Sequence, residues 1–173
     1  MRSTPLIMGA LAVAATSALV GAGGAAHAGE PTTTRERGIV VECTGTVHGR
    51  SISASLYEND TYANVLQVLI GDDDHQVGGS REDRDGFLER GQVTASMKVD
   101  GTRARITGTA RRVGDRLPVH DEYDDAGQHI TATGFHRSLD TDLRLTWRGR
   151  SVPLDCDTAF AYRLSVTKES TVE

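Results

Sequence analysis

Apolar and polar residues alternate along most of the chain that follows residue 37. In "SISASLY" (51–57), the side chains of Ile52, Ala54 and Leu56 would face one side of an extended chain, and the three serines and Tyr57 the other. A period of two is typical of β-strands that bury one face, and the helical period of 3.6 is almost absent. The pattern therefore predicts an all-β protein.

The clearest predicted hairpin spans residues 92–112, "QVTASMKVDGTRARITGTARR". Two alternating runs are joined by Asp100-Gly101, a pair that readily adopts the positive φ angles of a two-residue type I′ turn. Each run has a face of small or apolar residues and a polar face, which on the second run includes Arg103 and Arg105. One buried face and one wet face are typical of an antiparallel sheet.

Further segments bring the prediction to about eight or nine short strands. The most apolar run after the first 28 residues is "YANVLQVLI" (62–70), which predicts a central strand. The other predicted strands are 38–48, 116–123, 128–135, 142–147, 152–157 and 159–167. Many short strands separated by turn signals predict one antiparallel β-barrel or β-sandwich. We assign this single domain to residues 38–168, between a flexible N-terminal tail (29–37) and a C-terminal tail (169–173).

Residues 1–28 have the pattern of a secretory signal peptide. Arg2 precedes a run of small and apolar residues from Leu6 to Ala26, and "AHA" at 26–28 supplies a small-x-small cleavage motif. We expect Sec-type export, cleavage after Ala28, and a protein that is free outside the cell. A transmembrane anchor is the alternative, but no stop-transfer charges flank this Ala- and Gly-rich run. The heavy use of Arg, Ala, Gly, Asp and Val indicates a GC-rich bacterial genome.

Cys43 and Cys156 are the two cysteines of the sequence. In an oxidising compartment a lone pair of cysteines usually forms a disulfide. The predicted bridge would tie the first strand to the penultimate one, and on the chain-entropy model it would stabilise the fold by about 4 kcal/mol.

The charge balance narrows the expected partners. Of the 19 basic and 24 acidic side chains only Arg2 precedes residue 29, so the rest of the chain carries 18 basic and 24 acidic groups, a net charge of −6. Nucleic acids and anionic membranes are bound by proteins with a basic face, so this balance argues against both. An extracellular protein, a glycan or a small molecule is the expected partner.

The segment "GDDDHQVGGSREDRDGF" (71–87) contains six carboxylates and is the candidate cation site. Calcium binds six to eight oxygens, often on a loop with a sharp glycine turn. The candidate Ca²⁺ ligands are Asp72, Asp73, Asp74, Asp83 and Asp85. If Gly86 is the sixth residue of an EF-hand loop, however, Arg81 and Gln92 stand where the first and last carboxylates are required. The alternative, which we favour, is a solvated loop between two strands. No other cofactor is expected.

Arginines supply a second candidate site. Arg103 and Arg105 lie on the wet face of one predicted strand, and Arg144 and Arg148 lie in or beside another hairpin. If these strands are neighbours, they form a basic strip that could dock an anionic partner. His129 and Trp147 complete the candidate binding residues. The alternative is that charged side chains on exposed strands only prevent edge-to-edge aggregation.

Neither histidines nor serines form a recognisable catalytic motif. His48, His75, His120, His129 and His136 show no zinc-binding spacing, and "GGSRE" (78–82) lacks the second glycine of a nucleophile elbow. An enzyme would need a His or acid with a shifted pKa in a concave site, and His120 and His129 are the candidates. We therefore expect a secreted protein that acts by binding, as an inhibitor or recognition module. The alternatives are a small extracellular hydrolase and a calcium-binding module using residues 71–90.

Overall fold

The computed structural model describes residues 30–72 and 74–170, which form ten β-strands. The strands are β1 Thr32–Val47, β2 Arg50–Asn59, β3 Asn64–Ile70, β4 Val77–Asp83, β5 Leu88–Glu89, β6 Gln92–Val99, β7 Thr102–Arg112, β8 Leu117–Asp125, β9 Gln128–Trp147 and β10 Arg150–Ser170. Within these residues there is no helix, and so none of the length and hydropathy that a membrane-spanning helix needs. The predicted signal peptide (1–28) lies outside the described residues.

All ten strands belong to one antiparallel sheet, in the order β4-β3-β2-β1-β10-β9-β7-β6-β5, with β8 paired to β9. The sheet curls into a half-barrel, so that β3 and β4 approach β6 across its inner side. The predicted all-β antiparallel fold is confirmed. β10 holds the sheet together, because it is hydrogen-bonded to β1 on one side and to β9 on the other.

The inner face of the curled sheet forms the core, as the alternating pattern predicts. Ile52, Ala54 and Leu56 are buried, while Ser51 and Ser53 of the same strand are exposed. The predicted hairpin forms, with β6 and β7 joined at Asp100-Gly101, where both φ angles are positive. Four other turns place a residue and a glycine at positive φ in the same way: His48-Gly49, Arg90-Gly91, Ala126-Gly127 and Arg148-Gly149. Such turns match the twist of the strands that they join.

β9 and β10 each combine two segments that we predicted as separate strands. The pairing between them shifts register between Leu154 and Phe160. At such a bulge the inward positions change parity along a strand, so that Leu154 and Ala161 are both buried. Seen in the sequence alone, a bulge that interrupts the alternation cannot be distinguished from a turn between two strands. The division of 128–147 and 152–167 into four strands was therefore wrong.

The first and last strands are longer than expected. Residues from Thr32 to Arg37 pair with those from Lys168 to Arg163, so β1 begins inside the segment that we predicted as a flexible tail. The segment is polar but contains three threonines, which as β-branched residues favour strands. At the other end β10 continues to Ser170, so it includes Glu169 and Ser170, which we predicted as the first two residues of the C-terminal tail.

The acidic segment contains a strand that the sequence analysis missed. β4 pairs with β3 and forms one edge of the sheet. A Cβ atom on Gly78 would lie 2.0 Å from the backbone oxygen of Val68, so the close approach of the two strands requires a glycine. The glycines and charged residues of this segment are typical of a loop, so the sequence analysis did not predict a strand here. Charged residues are nevertheless common on edge strands, because they oppose aggregation. The interpretation of this whole segment as a loop was therefore wrong.

Cys43 and Cys156 form a disulfide, as predicted, and bridge 113 positions of the sequence. The bond joins two neighbouring strands, β1 and β10, beside the register shift between Glu42 and Thr44. It thus ties the first strand to the last one rather than to the penultimate one, because the two predicted C-terminal strands are one. A disulfide is consistent with an extracellular protein.

Candidate binding surface on the outer face of the sheet

The arginine-bearing strands are neighbours. β7 pairs with β9 so that Arg105 lies opposite Thr146 and Arg144 opposite Thr107. Residues that lie opposite each other or diagonally on adjacent strands share one face of a sheet. Arg105 and Arg144 are therefore diagonal neighbours on the outer face. Lys98 of β6 lies opposite Arg103 of β7, so its side chain is on the same outer face.

We call these four exposed cations, Lys98, Arg103, Arg105 and Arg144, the basic face. Among the described residues none of the four forms an ion pair with an acid. The guanidinium of Arg103 donates to the Ser96 hydroxyl at 3.0 Å. That of Arg144 donates to Ser151 through Nε and Nη2. A guanidinium has five N–H donors, so both arginines keep donors free for a ligand.

Trp147, one of the candidate binding residues, is buried, since only 1% of the residue is exposed. Its indole N–H donates to the backbone oxygen of Val99 at 3.2 Å. The guanidinium of Arg148 stacks over its ring, 4.4 Å from the centroid, and pairs with the Asp100 carboxylate. These contacts join the β6–β7 and β9–β10 turns. Trp147 and Arg148 therefore stabilise this end of the sheet, beside the basic face.

A cleft opens next to the basic face, where two hairpins separate. The pairing of β1 with β10 ends at Thr44 and Asp155. Beyond that point β1 continues along β2, and β10 along β9, so a gap of about 650 Å³ remains between them. Its lining residues are Thr44, Gly45, Thr46, Ser51, Ile52, Pro153, Leu154 and Asp155. A second depression of about 440 Å³ shares Thr44 and continues along β1 and β2.

Hydroxyl groups dominate the polar lining of the cleft. Thr44, Thr46 and Ser51 are exposed, and in the described part of the chain none of their side chains makes a hydrogen bond within the protein. The cleft is contiguous with the basic face, since Pro153 on its wall lies opposite Arg144 in the β9–β10 ladder. Cations and unused hydroxyls thus lie side by side on one surface.

The proposed calcium ligands do not come together. Asp72 and Asp74 lie in the β3–β4 connection, which Arg50 holds by donating to the backbone oxygen of His75 at 2.8 Å. The other two described ligands, Asp83 and Asp85, lie at the far end of β4, about 20 Å away along a seven-residue strand. Over residues 30–72 and 74–170, no three His, Cys, Asp or Glu side chains are grouped as a metal site requires. Asp73 lies outside the described residues.

The two histidines proposed as catalytic candidates, His120 and His129, lie far from the basic face. His129 Nδ1 is 2.8 Å from Asp124 Oδ1 across the β8–β9 hairpin, and this hydrogen bond raises the pKa of His129. His120 Nε2 lies 3.2 Å from Glu122 Oε1 on β8. His129 lies near the start of the 20-residue strand β9 and Arg144 near its end, so the two side chains cannot act together.

The sequence analysis missed Glu58, a half-buried carboxylate near the end of β2. Its Oε1 accepts hydrogen bonds from the backbone N–H groups of Phe87 and Leu88. Burial raises the pKa of Glu58, although both hydrogen bonds oppose this effect. Phe87 is buried in the core. Glu58 therefore fastens the β4–β5 connection over the core, and the outer-face cleft is lined by other residues.

Comparisons with known proteins provide little guidance on function. No protein-family model matches this sequence, and no curated protein matches it. A crystal structure of a Nitrosomonas europaea protein provisionally named AttH is similar with a TM-score of 0.34 and 10% identity. The match covers 80% of this chain and 52% of that one, so the chain spans about half the length of this neighbour.

Proposed function

We propose that this protein is a secreted binding module that takes an anionic extracellular ligand on its basic face. The observation that carries the proposal is a group of four exposed cations that form no ion pair with an acid among the described residues, on a protein whose residues 29–173 carry a net charge of −6. In such a protein most basic groups would gain from pairing with the abundant acids. Arginines that instead face solvent are available for a carboxylate, sulfate or phosphate.

Export and the disulfide fit this role. The pattern of residues 1–28 supports secretion, and a disulfide between β1 and β10 would persist in an oxidising compartment. Edge-strand protection explains the arginines of the basic face less well, because β7 and β9 are inner strands of the sheet; it applies to Lys98, since β5 pairs with β6 only at Gln92 and Val93. A hydrolase has less support. A catalytic acid or base would be expected to have a shifted pKa, and among the described carboxylates the pKa of Glu58 is raised. The Oε1 atom of Glu58, however, already accepts hydrogen bonds from the backbone N–H groups of Phe87 and Leu88.

Charge reversal tests the proposal with a simple polyanion. Fluorescently labelled polyglutamate is titrated with the protein, and its affinity is followed by anisotropy at increasing salt. Replacing both arginines in Arg105→Glu/Arg144→Glu should weaken binding by more than about tenfold, since hydrogen bonds between charged groups contribute about 1.5–3 kcal/mol each. The control, Arg35→Glu/Arg163→Glu, changes the net charge equally on exposed positions of β1 and β10.

The control variant should bind as the natural protein does. Equal losses in both variants would show that the ligand responds only to the net charge. No measurable binding of polyglutamate by the natural protein at low salt would contradict the proposal.

A further inference from the structure

We infer that the anionic ligand is an acidic polysaccharide, with its charged groups on the basic face and its hydroxyl groups in the adjoining cleft. This inference rests on the proposed function, because it accepts the anion-binding role of the basic face and adds the chemical class of the ligand.

The first argument is the continuity of the two surfaces. Adjacent strands of a sheet lie about 4.8 Å apart. Pro153, on the wall of the cleft, and Arg144, on the basic face, are opposite each other on β10 and β9. A linear polymer that crosses β10 would contact both surfaces at once. A small anion would fill only one of them.

The second argument is the chemistry of the cleft. The hydroxyls of Thr44, Thr46 and Ser51 can each donate and accept, which matches the hydroxyl groups of a sugar. Asp155 supplies carboxylate oxygens, which accept hydrogen bonds. It would repel a bare anion but suits a neutral hydroxyl donor. A cleft with this lining beside four cations selects a ligand that carries both hydroxyls and charges.

The third argument is the free backbone of the cleft. The ladder between β1 and β10 stops at Thr44 and Asp155, so residues 45–47 are not paired with residues 152–154. The two strands are still close where the gap begins, because a Cβ atom on Gly45 would lie 3.2 Å from the backbone oxygen of Pro153, which as a proline has no N–H. Beyond that point, backbone groups on the two edges add donors and acceptors to the side-chain hydroxyls. The described lining contains no aromatic side chain. Recognition would therefore depend on hydrogen bonds and charge rather than on stacking against a ring.

Three polymers distinguish the ligand classes. Polygalacturonate oligomers carry carboxylates and hydroxyls, polyglutamate of the same number of carboxylates carries charge alone, and dextran carries hydroxyls alone. We expect the protein to bind polygalacturonate about tenfold more tightly than polyglutamate, from a few additional hydrogen bonds. Dextran should bind more weakly than either.

A hydroxyl-deletion variant tests the cleft itself. Thr44→Val/Thr46→Val preserves side-chain shape on β1 and should lower the affinity for polygalacturonate to that for polyglutamate, which itself should not change. The matched control, Thr131→Val/Thr133→Val, alters two threonines with the same spacing on β9, away from the cleft, and should change neither affinity. If the double variant at the cleft does not fold, as judged by circular dichroism, Ser51→Ala provides a second deletion with the same expected direction.

The possible failures are distinguishable. Equal affinity for the two polyanions, with no effect of the cleft variants, would overturn the polysaccharide inference and leave the proposed function intact. Failure of polyglutamate to bind at low salt, whether or not polygalacturonate binds, would overturn the proposed function itself. Tight binding of dextran that survives Arg105→Glu/Arg144→Glu would overturn both.

Discussion

Glu58 provides a test of how burial and hydrogen bonding compete at one carboxylate. Its Oε1 accepts both the Phe87 and the Leu88 backbone N–H groups, which stabilises the ionised form. Burial acts in the opposite direction and is the larger effect, so the pKa of Glu58 is raised above 4.5. The neutral isostere should therefore do better than the natural residue: in Glu58→Gln the amide oxygen still accepts both hydrogen bonds and no charge is desolvated.

The sign of the pH dependence follows from the direction of this pKa shift. A carboxyl whose pKa is higher in the folded state binds its proton more tightly there than in the unfolded chain. Its contribution to stability is complete below pH 4.5 and is lost as the pH rises through the folded-state pKa. Glu58→Gln removes this loss, so its stability relative to the natural protein should increase between pH 4.5 and neutral pH.

The contribution of the two hydrogen bonds to the free energy of unfolding can be measured at the same residue. Glu58→Ala leaves the backbone N–H groups of Phe87 and Leu88 without their carboxylate acceptor, at a cost of about 1–3 kcal/mol. Urea unfolding at a series of pH values measures both effects, with Glu82→Gln on the exposed edge strand as the control. If the difference between Glu58→Gln and the natural protein is independent of pH, or decreases as the pH rises, burial is not the dominant influence and the reasoning fails.

Three further outcomes are expected. Cys43→Ala/Cys156→Ala should lose about 4–5 kcal/mol, a fall in Tm of about 10–20 °C in a thermal scan, and a fall of under a few degrees would contradict the entropic account. Trp147→Phe removes the indole donor to Val99 and should cost about 1–3 kcal/mol in urea unfolding, whereas an unchanged midpoint would show that this hydrogen bond contributes nothing. Millimolar Ca²⁺ against chelator should leave the Tm unchanged, because the acids lie at opposite ends of β4; a rise of several degrees would require a calcium site.

The sequence predicted local features well where neighbours in the chain determine them. The alternation in β2, the Asp100-Gly101 turn and the pairing of β6 with β7 depend on residues a few positions apart. It predicted poorly where distant strands decide the conformation. Gly78 lies in a strand because β3 approaches it closely, and the segment alone resembles a loop.

The candidate site was also predicted only in part, again where neighbours in the chain determine the conformation. The outward direction of Arg103 and Arg105 could be predicted from strand parity, whereas their proximity to Arg144 depends on which strand lies beside β7. The aromatic character of Trp147 suggested a ligand contact, but its position between two hairpin turns makes it part of the core. The cleft could not be predicted, because it exists only where β1 and β10 stop pairing.

The central position of β10 has a consequence for how the chain folds. This strand follows the other nine in the sequence, yet it lies between β1 and β9 and makes the longest ladders of the sheet with them. Until it is available, no strand ladder joins the group β1–β4 to the group β5–β9, and within the described residues they are connected by the hydrogen bond from Leu88 of β5 to the Glu58 side chain of β2. Contacts between residues so distant in the chain form slowly. Before β10 pairs, therefore, β1 and β9 each present an unpaired strand edge, and the sheet is complete only when the last strand of the sequence has joined both of them.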